Sequence, residues 1–250
     1  SGHQIRSLLL AISRLSDGLG VALDILSKYI FSRQSDKHLI EPDIIDVGCQ
    51  LLTQLDFRKI PRSDDYHLGQ IAETCLSAPK DENVAIQICD QFRQALAEYK
   101  TYPGNYPHLI AVLVERFPRV VLDLLVEGEQ VGFEGRRSIF NSLQERRPCP
   151  WLKVDVQILI KWASEKADTR FVHVAETIRP WSAADVDARR ADNNPSAPLV
   201  WTGTAKQLLF AAPDPLKVLK VYVRHFQPNG WSGSLADILQ SRLPLLDELI

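Results

Sequence analysis

The segments "SAPKDENVAIQICDQF" (Ser77–Phe92) and "AAPDPLKVLKVYVRHF" (Ala211–Phe226) follow one plan. Ala78-Pro79 corresponds to Ala212-Pro213, Val84 to Val218 and Phe92 to Phe226, all at the same offsets, and Ile88 and Tyr222 fill equivalent apolar positions. In the first segment Val84, Ile88, Phe92 and Leu96 recur at every fourth residue. An apolar residue once per turn marks an amphipathic helix with one broad buried face. Proline is tolerated in the first turn of a helix and breaks it further in. Each segment therefore reads as a proline-marked turn that opens a helix.

The same pattern extends in both directions. "VALDILSKYI" places Val21, Ile25 and Tyr29 on one stripe, with Ala22, Leu26 and Ile30 beside it. "HLIAVLVERF" gives Leu109, Leu113 and Phe117, and "KVLKVYVRHF" gives Leu219, Val223 and Phe226. Asp168 begins a helix carrying Phe171, Val174 and Ile178, which Pro180-Trp181-Ser182 ends. "RFPRVVLDLLVEG" (Arg116–Gly128) reads as the junction between the two helices of a pair. No sustained strand alternation with a hairpin turn occurs. The expectation is about a dozen helices in antiparallel pairs of about 40 residues, joined by short connections. One segment breaks the rule: residues 182–204 are polar, rich in Asp and Ala, and read as an irregular exposed insertion. Trp201 within it either anchors a partner or pins the loop to the body.

Diverged helix pairs sharing one plan resemble HEAT-type repeats. The resemblance implies an all-α fold, a right-handed α–α superhelix, formed as a single helical-repeat domain over 4–250. Ser1-Gly2-His3 reads as the remnant of a cleaved tag. The closing stretch from Pro213 also resembles the helical C-terminal regions of large bacterial multidomain proteins. That likeness implies an accessory or sensing region, cytoplasmic, with any enzymatic module elsewhere in the parent chain.

The chain has 250 residues, 45% hydrophobic and 24% charged, with a net charge of -2. This is ordinary globular composition, and it argues against a general attraction to nucleic acid or acidic membranes. No run of about 18 apolar residues suggests a membrane span, and no basic leader with a small-residue cleavage site is visible. Cys49, Cys75, Cys89 and Cys149 are widely spaced, without Cys-x-x-Cys, and read as reduced thiols that do not converge.

Motifs for chemistry are sparse. No glycine-rich phosphate loop occurs, and no His-x-x-x-His or His-Glu-x-x-His. Neither a cofactor nor a metal is expected. Asp64, Asp65 and His67 can be drawn as a carboxylate–imidazole cluster, but "PRSDDYHLGQ" reads more simply as a loop with a helix N-cap. "GWSGS" (Gly230–Ser234) lies one residue from Gly-x-Ser-x-Gly, yet a helix precedes it where a nucleophile elbow needs a strand. Ser234 is expected to cap the last helix, and no catalytic residue is assigned. Arg136-Arg137 and Arg146-Arg147 bracket "GRRSIFNSLQERR", with positions 136 and 147 about three turns apart on one face. That face either meets phosphates or is simply solvated. The leading expectation is a non-enzymatic module that recognises a protein or peptide partner. The alternative is a nucleic-acid-binding helical repeat that uses the Arg136–Arg147 face.

Overall fold

The computed structural model describes residues 2–36, 39–99, 101–127, 131–144, 149–183 and 199–224. Among them the backbone is predominantly helical, with twelve α-helices and one short β-ribbon. The sequence reading takes 4–250 as one domain. Two compact units are found, Ser1–Val154 and Asp155–Ile250.

The first unit contains α1 (Gly2–Ser13), α2 (Gly18–Ser35), α3 (Pro42–Leu52), α4 (Asp65–Cys75), α5 (Glu82–Tyr99), α6 (Pro107–Arg116), α7 (Pro118–Val121) and α8 (Gly132–Gln144). Pro42, Pro107 and Pro118 occupy the first turns of α3, α6 and α7, where their missing N–H costs nothing. After α7 the chain continues as a π-helical turn, Leu122–Val126, whose Leu122, Leu125 and Val126 are buried. Phe117-Pro118 is thus the break inside "RFPRVVLDLLVEG". In α2 the stripe that reaches the core is Ala22, Leu26 and Ile30, all fully covered, while Val21 is exposed.

Helices in this unit pack in an alternating order. α1 meets α2 and α3, α3 meets α4 and α5, and α5 meets α7 and the π-helical turn. α2 meets α4, α4 meets α6, and α6 meets α8. Polar side chains cross between elements at a recurrent sequence separation. The hydrogen bonds Ser27–His67, Gln34–Thr74, Arg58–Glu98 and Arg116–Leu76 each join residues 40 apart. Gln91 donates to the Thr53 carbonyl across 38 residues, and Lys153 to Glu115 across 38. The apolar interior is continuous across these crossings. Phe57 stacks on Phe92 with ring centroids 3.7 Å apart, and Tyr106 stands edge-on to Phe57 at 4.9 Å. The Tyr106 hydroxyl donates to the Ile60 carbonyl at 2.7 Å, so this buried ring keeps a polar partner.

The second unit holds α9 (Val156–Ser164), α10 (Ala167–Ala175), β1 (Trp181–Ala183), β2 (Leu199–Trp201), α11 (Gly203–Ala211) and α12 (Pro215–Arg224). Asp155 caps α9 by accepting the Gln157 N–H, and the Thr202 hydroxyl caps α11 by accepting the Ala205 N–H. α9 packs on α10 and α11, and α12 on α10 and α11. Arg170 is buried here. Its guanidinium lies 4.3 Å from the Trp162 ring centroid, donates to the Trp162 carbonyl and pairs with Glu165 at 2.6 Å. In α12 the covered residues are Val218, Val221 and Tyr222, and Val223 is exposed. The stripe expected through Leu219 and Val223 is therefore displaced by one residue, onto the Val218 and Tyr222 positions that match Val84 and Ile88. Phe226 lies outside the described residues.

The expectation of an irregular insertion over 182–204 is corrected at its ends. β1 and β2 pair antiparallel, with Trp181 opposite Trp201 and Ala183 opposite Leu199, and α11 begins at Gly203. Val200 and Trp201 are β-formers, and pairing satisfies backbone groups that a free loop leaves to water.

Candidate functional site

Half-buried polar groups and the exposed Tyr66 lie along α4, which packs on α2 and on α6, over a buried hydrogen-bonded base. Asp65, only 5% exposed, opens α4. Its carboxylate accepts the backbone N–H of His108 at 2.9 and 3.0 Å, the N–H of Leu109 at 3.1 Å, and Nδ1 of His108 at 2.6 Å. The first N–H groups of α6 have no partner within their own helix, and a carboxylate there also favours the positive end of the helix dipole. Asp65 is thus a cap, as the local sequence suggests, but for α6 rather than for its own helix. Gly69 permits the approach: a Cβ there would lie 2.5 Å from Cβ of His108.

A second network joins α2 to α4. The buried Ser27 hydroxyl lies 2.7 Å from Nδ1 of His67 and donates to Oε1 of Gln70, also at 2.7 Å. A hydroxyl carries one proton. With that proton given to Gln70, Nδ1 of a neutral His67 must be the donor, and Nε2 keeps its lone pair. Tyr66 stands between the imidazoles, edge-on to His67 at 5.8 Å and to His108 at 5.4 Å, and is 54% exposed. Beside His67 a cavity of about 290 Å³ opens between α2 and α4. Leu23 and Leu68 form its apolar floor, and Val21, Asp24, Asp64 and His67 line it. Asp24 is paired with Lys28 at 2.7 Å. Asp64, Asp65 and His67 do not converge on one point, and no group of three metal-ligating side chains forms among the described residues.

Of the basic face expected around α8, the described residues include Arg136 and Arg137. Arg136 is 8% exposed, and its guanidinium donates to the Val126 carbonyl at 3.2 Å, at the end of the π-helical turn. Carbonyls at a helix end lack intrahelical partners, and Arg136 is spent on one of them. This corrects its placement on an open face. Arg137 is exposed, and Arg146 and Arg147 lie outside the described residues. Other basic side chains of this unit are paired: Arg116 with the Leu76 carbonyl, Arg119 with Asp123 at 2.9 Å, and Lys153 with Glu115 at 2.8 Å.

Trp201 takes the packed position. It is 8% exposed, and its ring centroid lies 5.8 Å from that of Tyr222. The Tyr222 hydroxyl donates to the Ala205 carbonyl. The Gly230–Ser234 stretch and its Ser234 cap lie outside the described residues. Cys49 and Cys75, expected to stay apart, meet: Sγ of Cys49 donates to the Cys75 carbonyl at 3.4 Å. Sequence reasoning missed this pair, and also Tyr66 and His108, because each depends on which helices become neighbours.

Comparison with protein-family models, with curated proteins and with solved structures finds no match to this chain. The described residues form an all-α fold, and no helix among them is long and apolar enough to cross a membrane.

Proposed function

We propose that this chain is a non-enzymatic helical-repeat module that recognises a protein partner, with its first unit a HEAT-like right-handed superhelix. The supporting observation is the packing order. Even-numbered helices neighbour even-numbered ones in chain order from α2 to α8, and odd-numbered helices neighbour odd-numbered ones from α1 to α7. Cross-element hydrogen bonds recur at separations of 38 and 40 residues. A stack in which each repeat touches only its neighbours produces this pattern.

The partner is assigned to the α2–α4–α6 surface. Tyr66 is a large exposed ring held between two imidazoles whose own positions are fixed from beneath by Ser27 and Asp65. Rigid aromatic anchors of this kind dominate interface energetics.

Two experiments test the reading. Excising residues 42–81, which removes α3 and α4 together, leaves a shorter helical protein with cooperative unfolding if stability is a sum over neighbours. A molten product, seen as lost near-ultraviolet circular dichroism, counts against the superhelix. Affinity capture from a lysate of the source organism, with wild type and Tyr66→Ala compared by mass spectrometry, tests the surface. A specific protein retained by wild type and lost from a folded Tyr66→Ala supports it, and retention indifferent to Tyr66 counts against it.

A further inference from the structure

α3 and α4 cross where one residue is a glycine. A Cβ on Gly48 would lie 2.3 Å from Sγ of Cys75 and 3.1 Å from its Cβ, so the glycine leaves the space that the Cys75 side chain fills. The next residue, Cys49, is carried to the same crossing, and its thiol donates to the Cys75 carbonyl at 3.4 Å. With standard C=O and Cα–C lengths, that places Sγ of Cys49 within about 6 Å of Cα of Cys75. Sγ of Cys75 in turn lies against Gly48, the residue before Cys49, so both thiols sit at one crossing; closure requires the side chains to rotate until the sulfurs face each other with the Cα atoms within about 7 Å.

We propose that Cys49 and Cys75 are an oxidisable thiol pair that closes to an intramolecular disulfide across the α3–α4 crossing. The partner-recognition reading plays no part in this inference. The two thiols differ in access: Cys49 is partly exposed and Cys75 is buried. An oxidant of the disulfide class, such as oxidised glutathione, therefore meets Cys49 first. Cys49 loses its proton to solvent, and its thiolate attacks one glutathione sulfur. The glutathione disulfide bond breaks, and one glutathione thiolate leaves and is protonated. The Cys75 thiolate, its proton likewise passed to solvent, then attacks the Cys49 sulfur and expels the second glutathione. Two protein thiols are oxidised, and one glutathione disulfide is reduced to two thiols. Burial holds both protein thiols protonated, with Cys49 pushed up to about 11 and Cys75 to about 12, so closure is slow at neutral pH.

The test is incubation of the folded protein with oxidised glutathione at pH 8.5, followed by intact mass measurement and non-reducing peptide mapping. The expected result is a loss of about 2 Da, with the peptides carrying Cys49 and Cys75 linked, and no such loss in Cys49→Ala. The closed form is expected to melt at higher temperature than the reduced form. A stable glutathione adduct on Cys49 without closure overturns the proposal. An unchanged mass after full exchange time also overturns it, as does the same mass loss in Cys49→Ala.

Discussion

The carboxylate of Asp65 in α4 caps α6 through the backbone N–H groups of His108 and Leu109 and holds the His108 ring at 2.6 Å. One side chain thus satisfies the start of a helix 43 residues away in sequence. Asp65→Ala leaves these donors without a partner in a covered place. A lost cap costs about 0.5–2 kcal/mol, and a buried unsatisfied donor about 1–3. The expected loss is about 2 kcal/mol in the urea unfolding free energy. Among the described residues the neighbouring Asp64 carboxylate accepts only from the Ser63 hydroxyl, so Asp64→Ala is expected to stay within about 0.5 kcal/mol of wild type. Equal losses for the two variants would remove the cap from the account of this junction.

Adjacent arginines on α8 have opposite expected behaviour. Arg136 is covered and donates to the Val126 carbonyl, whereas Arg137 is exposed. Arg136→Ala is expected to destabilise by about 1–3 kcal/mol, because it strands a buried acceptor. Arg137→Ala is expected to change stability by less than about 0.5 kcal/mol. If α8 meets nucleic acid, the binding is salt-dependent and Arg137→Ala alone weakens it with the fold intact. Filter binding at low salt, read beside urea melts of both variants, separates these roles. A neutral Arg136→Ala contradicts the buried contact.

Much of the fold is legible in the sequence, and particular residues show where legibility ends. Prolines 42, 107 and 118 mark helix starts because their restriction is local. The covered stripe Ala22, Leu26 and Ile30 follows from period alone, but period did not decide between it and the adjacent Val21, Ile25 and Tyr29. That choice depends on what α2 packs against. In α12 the same ambiguity displaced the stripe by one residue. Arg136 and Trp201 show the limit for sites. The sequence leaves a basic pair and a loop tryptophan open to exposed and packed readings alike; a stranded carbonyl takes Arg136, and a strand partner with Tyr222 covers Trp201. The pairing of Asp65 with His108 and the Cys49–Cys75 meeting lie in no local motif. They arise from contacts across 43 and 26 residues, which only the helix order creates.

Glycine content separates two helix positions that look alike in composition. In α3 a Cβ at Gly48 would meet Sγ of Cys75 at 2.3 Å, whereas at Gly20 in α2 it would meet nothing within 4 Å. Gly48→Ala forces the α3–α4 crossing apart, and overpacking of this kind costs about 1–3 kcal/mol. Gly20→Ala replaces the most flexible residue type in the first turn of α2 without a clash, and a gain of about 0.4–1 kcal/mol is expected. Thermal melts of the two single variants should move in opposite directions. A neutral Gly48→Ala would mean that the crossing is looser than its geometry indicates.

Alkaline pH should unfold this protein before acid does. Burial pushes the Cys49 thiol up to about 11 and Cys75 to about 12, and raises Cys89 and the Tyr222 hydroxyl further. In the unfolded chain thiols ionise near 8.5 and tyrosine near 10. Above pH 8.5 the unfolded state therefore binds fewer protons than the folded state, and unfolding becomes more favourable as pH rises. The contribution is complete below pH 8.5 and is lost progressively as pH climbs towards the folded-state values. On the acid side, Arg58 beside Asp56 and hydrogen bonds to Glu41 hold those carboxyls below their usual values. That stability is present above about pH 4 and is lost as pH falls further, but both carboxylates are partly exposed and screened, so the loss is small. Urea midpoints measured from pH 3 to 10.5 should be nearly level from about 5 to 8 and should fall above 8.5. Cys89→Ala, which removes a fully buried thiol, should flatten part of the alkaline decline even though the cavity lowers the plateau. A midpoint that stays level to pH 10.5 would mean that these thiols and the Tyr222 hydroxyl ionise in the folded protein as they do in water.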